Sequence, residues 1–292
     1  MTLLDKRATT GRAASAAVQG GTNETAGARR IRAAFDRARG EGRAALIPYV
    51  VAGYPDAEAS LTIALAAVDA GADLLEVGLP YSDPLADGAT LQRASGTALA
   101  AGDTLERSLR LIERIVAARP ELPVVPMGYA NQVIGGGDGG AVAKRLAGAG
   151  AAGLIVADLT PDEGAPFEAV AREVGLAVIY LVAPTTPPAR RAAIAARSGG
   201  FLYCVSLVGV TGARATLPRT VARLVREVTA ASPVPVGVGF GVSRPAHVRA
   251  IAKAGADGVI VASALVDALG PDGRDIDALS RLVGELRAAT TT

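Results

Sequence analysis

Three variants of one phrase recur along this chain: AGADLLEVG at 70–78, AGAAGLIVAD at 149–158 and AGADGVIVAS at 254–263. Each joins the end of a helical pattern, a turn of small residues and a short apolar run. A strand wetted on one face alternates apolar and polar residues. A run that is apolar throughout suits a parallel strand covered on both faces. A repeated helix–turn–buried-strand phrase therefore restricts the chain to folds in which helices enclose a parallel sheet.

Further runs of the same kind complete a series. Strand candidates begin near residues 45 (ALIPYVVAG), 73, 123 (PVVPMGYA), 153, 177 (AVIYLVA), 201 (FLYCVSL), 233 (PVPVGVGF) and 258. Helix-length segments such as DAEASLTIALAAVDAG and SRPAHVRAIAKAGA separate them, and RRIRAAFDRARGEG precedes the first. Eight alternating units in 292 residues predict an α/β fold, the (β/α)8 or TIM barrel, with an extra N-terminal helix. An open doubly wound sheet is the alternative, but no strand here leads into a GxGxxG fingerprint with a later acidic partner. The domain reading is a tail over 1–28, rich in Ala, Gly, Ser and Thr and expected to be disordered, then a single catalytic barrel over 29–292.

What the chain lacks narrows the chemistry. Lys6, Lys144 and Lys253 are its lysines, and none stands at an apolar strand end where a Schiff-base lysine would be expected. His247 is the single histidine and Cys204 the single cysteine, which argues against a catalytic metal and against a disulfide framework. No cofactor is expected. No basic stripe interleaved with aromatics points to nucleic acid. No apolar run reaches the length of a membrane span, and the N-terminus has no signal-peptide core, so the reading is a soluble, cytoplasmic protein.

In a barrel of this kind the site lies at the C-terminal ends of the strands. Glu76 sits inside the second strand, on the same parity as Leu74 and Gly78. A carboxyl group there must point into the barrel mouth or into the core, and burial would raise its pKa into a range useful for proton transfer. The structural alternative is a carboxylate satisfied by neighbouring hydroxyls or amides. Asp87 follows on the loop LPYSDPLADGATLQ (79–92); its alternative is a turn or helix-capping aspartate, as Asp-Gly often is. The opposite rim is rich in glycine: GVTGA (209–213), VGVGFGVS (236–243) and GVIVASALV (258–266). Each alone could be a tight turn. Three on adjacent strand ends predict a phosphate cradle made of backbone N–H groups and a helix terminus. A phosphate ester cleaved or rearranged by acid–base chemistry fits both rims.

At this point the segment LLEVGLPYSDPLADGATLQRA closely resembles the signature of the tryptophan synthase alpha subunit family. PYVVAGYPD, YAN, LIVADLTPDE, LYCVS, GVTGA, GVGFGVS and GADGVIVASALV follow in that family's order, over roughly residues 30–285. The resemblance implies retro-aldol cleavage of indole-3-glycerol phosphate to indole and glyceraldehyde 3-phosphate. It implies Glu76 as general acid–base and Asp87 as the carboxylate that binds the indole N–H. It places Tyr203 and the loop residue Thr211 at the substrate, and Gly212, Gly241 and Ser263 at its phosphate. It also implies a tryptophan synthase beta subunit as partner in an α2β2 complex, touched through Asp83, Pro84 and Asn131.

The chain departs from the family at several places. Ala262 stands where glycine is usual, Leu207 and Val208 replace more polar residues, and YANQVIGGGDGGAV lacks the usual proline and aromatics. Two related readings follow: a free-standing lyase that releases indole, and a slow regulatory subunit that activates a beta partner. A sugar-phosphate isomerase on the same barrel is a more distant one.

Overall fold

The apolar runs become short parallel strands, buried along almost their whole length. The computed structural model describes residues 24–135, 137, 139–206, 219–239 and 241–291. Its strands are β1 (Ala45–Val51), β2 (Leu75–Gly78), β3 (Val124–Gly128), β4 (Gly153–Val156), β5 (Ala177–Ile179), β6 (Leu181–Val182), β7 (Leu202–Val205), β8 (Val236–Gly239) and β9 (Gly258–Val261). Helix α1 (Ala26–Gly40) precedes β1, and α2 (Ala57–Asp69) follows it. Next come α3 (Ala89–Ala100) and α4 (Leu105–Ala118) after β2, α5 (Ala130–Val133) and α6 (Gly140–Gly148) after β3, and α7 (Pro161–Glu173) after β4. The second half adds α8 (Pro188–Arg197), α9 (Arg219–Ala231), α10 (Pro245–Lys253), α11 (Ser263–Ala268) and α12 (Ile276–Ala288).

The strand order is β5-β4-β3-β2-β1-β9-β8-β7-β6. β5 and β6 are the two edges of that order, and only Tyr180 lies between them. The fifth strand expected from sequence is thus one segment that changes partner, its first part pairing with β4 and its second with β7. Tyr180 marks the change. Its N–H donates to Ser198 Oγ at 3.1 Å instead of to a strand, and its carbonyl accepts Tyr203 N–H at 3.0 Å. Its hydroxyl donates to Glu168. The seam of the α/β barrel is closed by the covalent chain, with every polar group of Tyr180 satisfied.

Strand periodicity divides the apolar residues into two cores. Leu46, Val50, Leu75 and Val77 face outward against the helices. Ile47, Tyr49, Val125, Met127, Ile155, Phe201, Tyr203 and Ile260 face inward. Ile31 and Phe35 of α1 belong to the inner set, and the Phe35 ring lies 5.6 Å from that of Phe201. Gly258 leaves the room: a Cβ there would stand 2.7 Å from Phe35. Helix α1 therefore plugs the end of the barrel where the strands begin. It starts at Ala26, ahead of the periodic segment read from Arg29, because Thr25 Oγ1 accepts the Ala28 N–H and caps it. Burying two such side chains is worth roughly 1.5–3 kcal/mol each. Among the described residues no helix is long and apolar enough to cross a membrane.

Candidate active site

With the lower end plugged, the C-terminal ends of the strands form the open mouth. Glu76 lies in β2, in register with Tyr49 of β1 and Val125 of β3, and is 1% exposed. Neither of its carboxyl oxygens has a hydrogen-bond partner among the described residues. The alternative of a structurally satisfied carboxylate therefore finds no support there. Burial first, and then the nearby charge of Asp87, raise the Glu76 pKa to about 8. At neutral pH the group is mostly a protonated acid.

Asp87 reaches the same mouth from the loop after β2. It does not cap a helix: Gly88 is the N-cap of α3 and makes no side-chain cap bond. Instead its carboxylate bonds the Tyr129 hydroxyl, which opposes the larger effect of burial, and its pKa rises to about 6. The Tyr129 hydroxyl also accepts the Ala86 N–H at 3.1 Å. Gln92, the last residue of the quoted loop, donates to the Asp87 carbonyl at 2.9 Å. Two carboxyl groups with different environments thus share one rim, one mostly neutral and one mostly charged at pH 7.

Two buried tyrosines flank them. Tyr203 of β7 is 4% exposed, and its pKa is raised by burial and then by the charge of Glu76. Tyr49 is the counterpart on β1, with burial and then Asp87 and Glu76 raising it. Glycines make space for both hydroxyls: a Cβ on Gly239 would meet Tyr203 at 2.5 Å, and one on Gly78 would meet Tyr49 at 1.8 Å. Part of the glycine pattern read as phosphate loop is therefore packing within β8. Gly241 follows that strand with φ +74°, and Ser263 is the first residue of α11. Thr211 and Gly212, with Leu207 and Val208, lie outside the described residues.

Asp83 is exposed and Pro84 is half-buried. Asn131, on α5, donates to Tyr81 Oη at 3.1 Å, and the Tyr81 ring stacks on Tyr129 at 5.1 Å. Sequence reasoning missed Tyr49 and Tyr129 as site residues. The available signal for Tyr49 was a hydroxyl on the inward parity of β1; Tyr129 stands at the end of β3, where an aromatic reads as core.

The family model of the tryptophan synthase alpha chain matches residues 35–290. The chain belongs to the tryptophan synthase alpha chain family. A tryptophan synthase alpha chain from Roseiflexus castenholzii is 48% identical over 240 residues, covering 82% of this chain and 91% of that protein. One from Methanothermobacter thermautotrophicus is 44% identical over 262 residues, covering 87% and 94%. Among solved structures, tryptophan synthase from Mycobacterium tuberculosis superposes with a TM-score of 0.82 at 44% identity, covering 90% of this chain and 98% of that one. The family's reaction, lyase cleavage of indole-3-glycerol phosphate in tryptophan biosynthesis, is accordingly the activity of this tryptophan synthase alpha family member.

Proposed function

We propose that Glu76 donates the proton that starts this cleavage and that Asp87 holds and balances the indole. Protonated Glu76 gives its proton to the ring carbon bearing the glycerol chain. The ring becomes a cation, and Asp87 accepts the indole N–H and stabilises the positive charge. The carbon–carbon bond then breaks, its electron pair restores the indole, and the adjacent hydroxyl loses its proton as the aldehyde forms. Glu76, now a carboxylate, is the nearby group able to take that proton, which returns the site to its starting state. Tyr203 and Thr211 contact the substrate in this reading, while Gly212, Gly241 and Ser263 receive its phosphate. The beta chain of tryptophan synthase is the proposed partner, meeting the surface around Asp83, Pro84 and Asn131.

The observation that carries the reading is the buried Glu76 carboxyl group with no described partner, facing the mouth beside a second carboxylate. Glu76→Gln tests it. The amide keeps the shape but transfers no proton, so turnover is expected to fall about 10²–10⁴-fold while affinity for the phosphate ester holds. Measurement of indole release together with ligand binding decides it, and near-normal turnover in the amide variant removes Glu76 from the chemistry.

A further inference from the structure

Tyr49 stands between the two halves of the proposed site. Its strand, β1, pairs on one side with β2, which carries Glu76, and on the other with β9, which leads to Ser263. Its ring shares the inward row with Ile47 and Val51. Its hydroxyl lies against Gly78, two residues beyond Glu76 toward the mouth, where a Cβ would come within 1.8 Å.

That hydroxyl bonds none of the described residues and is not among their fully buried unpaired side-chain atoms, so it borders the open space of the mouth. A tyrosine hydroxyl at the edge of a site is held by its apolar ring and presents its polar tip to whatever fills the site. Neither carboxyl group accepts from it: both oxygens of Glu76 are unpartnered, and Asp87 bonds Tyr129. Burial and the two acidic neighbours keep the phenol protonated at any physiological pH, so it can act as a donor. An oxygen of a bound ligand can take the place of water as its acceptor.

A ligand with its ring at Glu76 and Asp87 and its phosphate near Gly241 and Ser263 carries its linking chain past β1. We propose that Tyr49 donates a hydrogen bond to a hydroxyl oxygen of the substrate's glycerol chain, which makes it a specificity-determining residue for a polyol phosphate over a plain alkyl phosphate. The inference rests on the assignment of the carboxylate and phosphate ends made above.

Tyr49→Phe tests it, since the ring and its packing are kept. Two ligands are compared: indole-3-glycerol phosphate as substrate, and indole-3-propyl phosphate as competitive inhibitor, which keeps ring and phosphate but has no chain hydroxyls. Loss of one neutral hydrogen bond should lower kcat/KM about three- to tenfold, while the inhibition constant of the propyl compound stays unchanged. Equal weakening toward both ligands would overturn the proposal and reduce Tyr49 to a packing surface for the ring. Unchanged kinetics toward both would overturn it as well. Glu76→Gln assayed alongside keeps the questions apart: active Glu76→Gln would overturn the catalytic assignment, whereas the Tyr49 comparison reads the chain contact alone.

Discussion

Glu76 is held buried and unpaired at a cost to the fold. Its pKa rises from 4.5 to about 8 on folding. Between those values the folded chain binds a proton that the unfolded chain has lost, so stability falls as pH rises from about 4.5 to 8. The whole drop is on the order of 5 kcal/mol. Glu76→Gln has nothing to ionise. It should melt several degrees above the parent at about pH 8, and the difference should vanish below about pH 4, as followed by thermal unfolding across pH. A constant difference would mean that Glu76 is not buried as a neutral acid. The same protonation governs rate. On the roles proposed above, activity needs Glu76 protonated and Asp87 ionised, so kcat/KM should fall on the alkaline side with a midpoint near 8. The acid limb near pH 6 is shared with the substrate's own phosphate, which titrates in the same range; the alkaline limb is therefore the one to read. A profile flat from pH 7 to about 9.5 would contradict the role of Glu76 as acid.

At the scale of elements, the seam at Tyr180 is where the barrel depends on single hydrogen bonds. Ser198 Oγ accepts the Tyr180 N–H at 3.1 Å and donates to the Phe201 carbonyl at 2.6 Å. Ser198→Ala leaves both buried groups unpaired and should cost roughly 1–3 kcal/mol, measured as a shift of the denaturant midpoint. A neutral substitution would show that the seam finds other partners. This seam was not legible in the sequence. AVIYLVA reads as one buried strand, and nothing in its composition says that its two ends pair with different neighbours. The other strands were legible because continuous apolar runs between small-residue turns have few alternatives. So was Glu76, as a charge inside such a run. Tyr49 and Tyr129 were not, because an aromatic in an apolar strand looks like core until the opposing glycine or the neighbouring carboxylate is placed in space. The connection after β2 also holds α3 as well as α4, and α3 lacks a side-chain cap to announce it.

For the whole molecule, the mouth and the outer surface are linked. The loop from Tyr81 to Gly88 carries Asp87 inward and Leu85 outward, the latter 84% exposed and the large exposed apolar side chain among the described residues. From the surface, Asn131 touches Tyr81, Tyr81 stacks on Tyr129, and Tyr129 bonds Asp87. A partner seated on this face would favour one placement of Asp87 over others. Titrating a tryptophan synthase beta chain into the protein should raise indole formation at least tenfold, about 1.4 kcal/mol. Asp83→Ala should diminish that gain more than the basal rate. Full activity without the beta chain would favour the free-standing lyase. The plug formed by α1 adds a constraint on traffic. With Phe35 and Ile31 filling the end where the strands begin, that end is closed to a ligand. Substrate and products therefore pass on the side of the strands' C-terminal ends. Whatever covers that side decides where indole goes next.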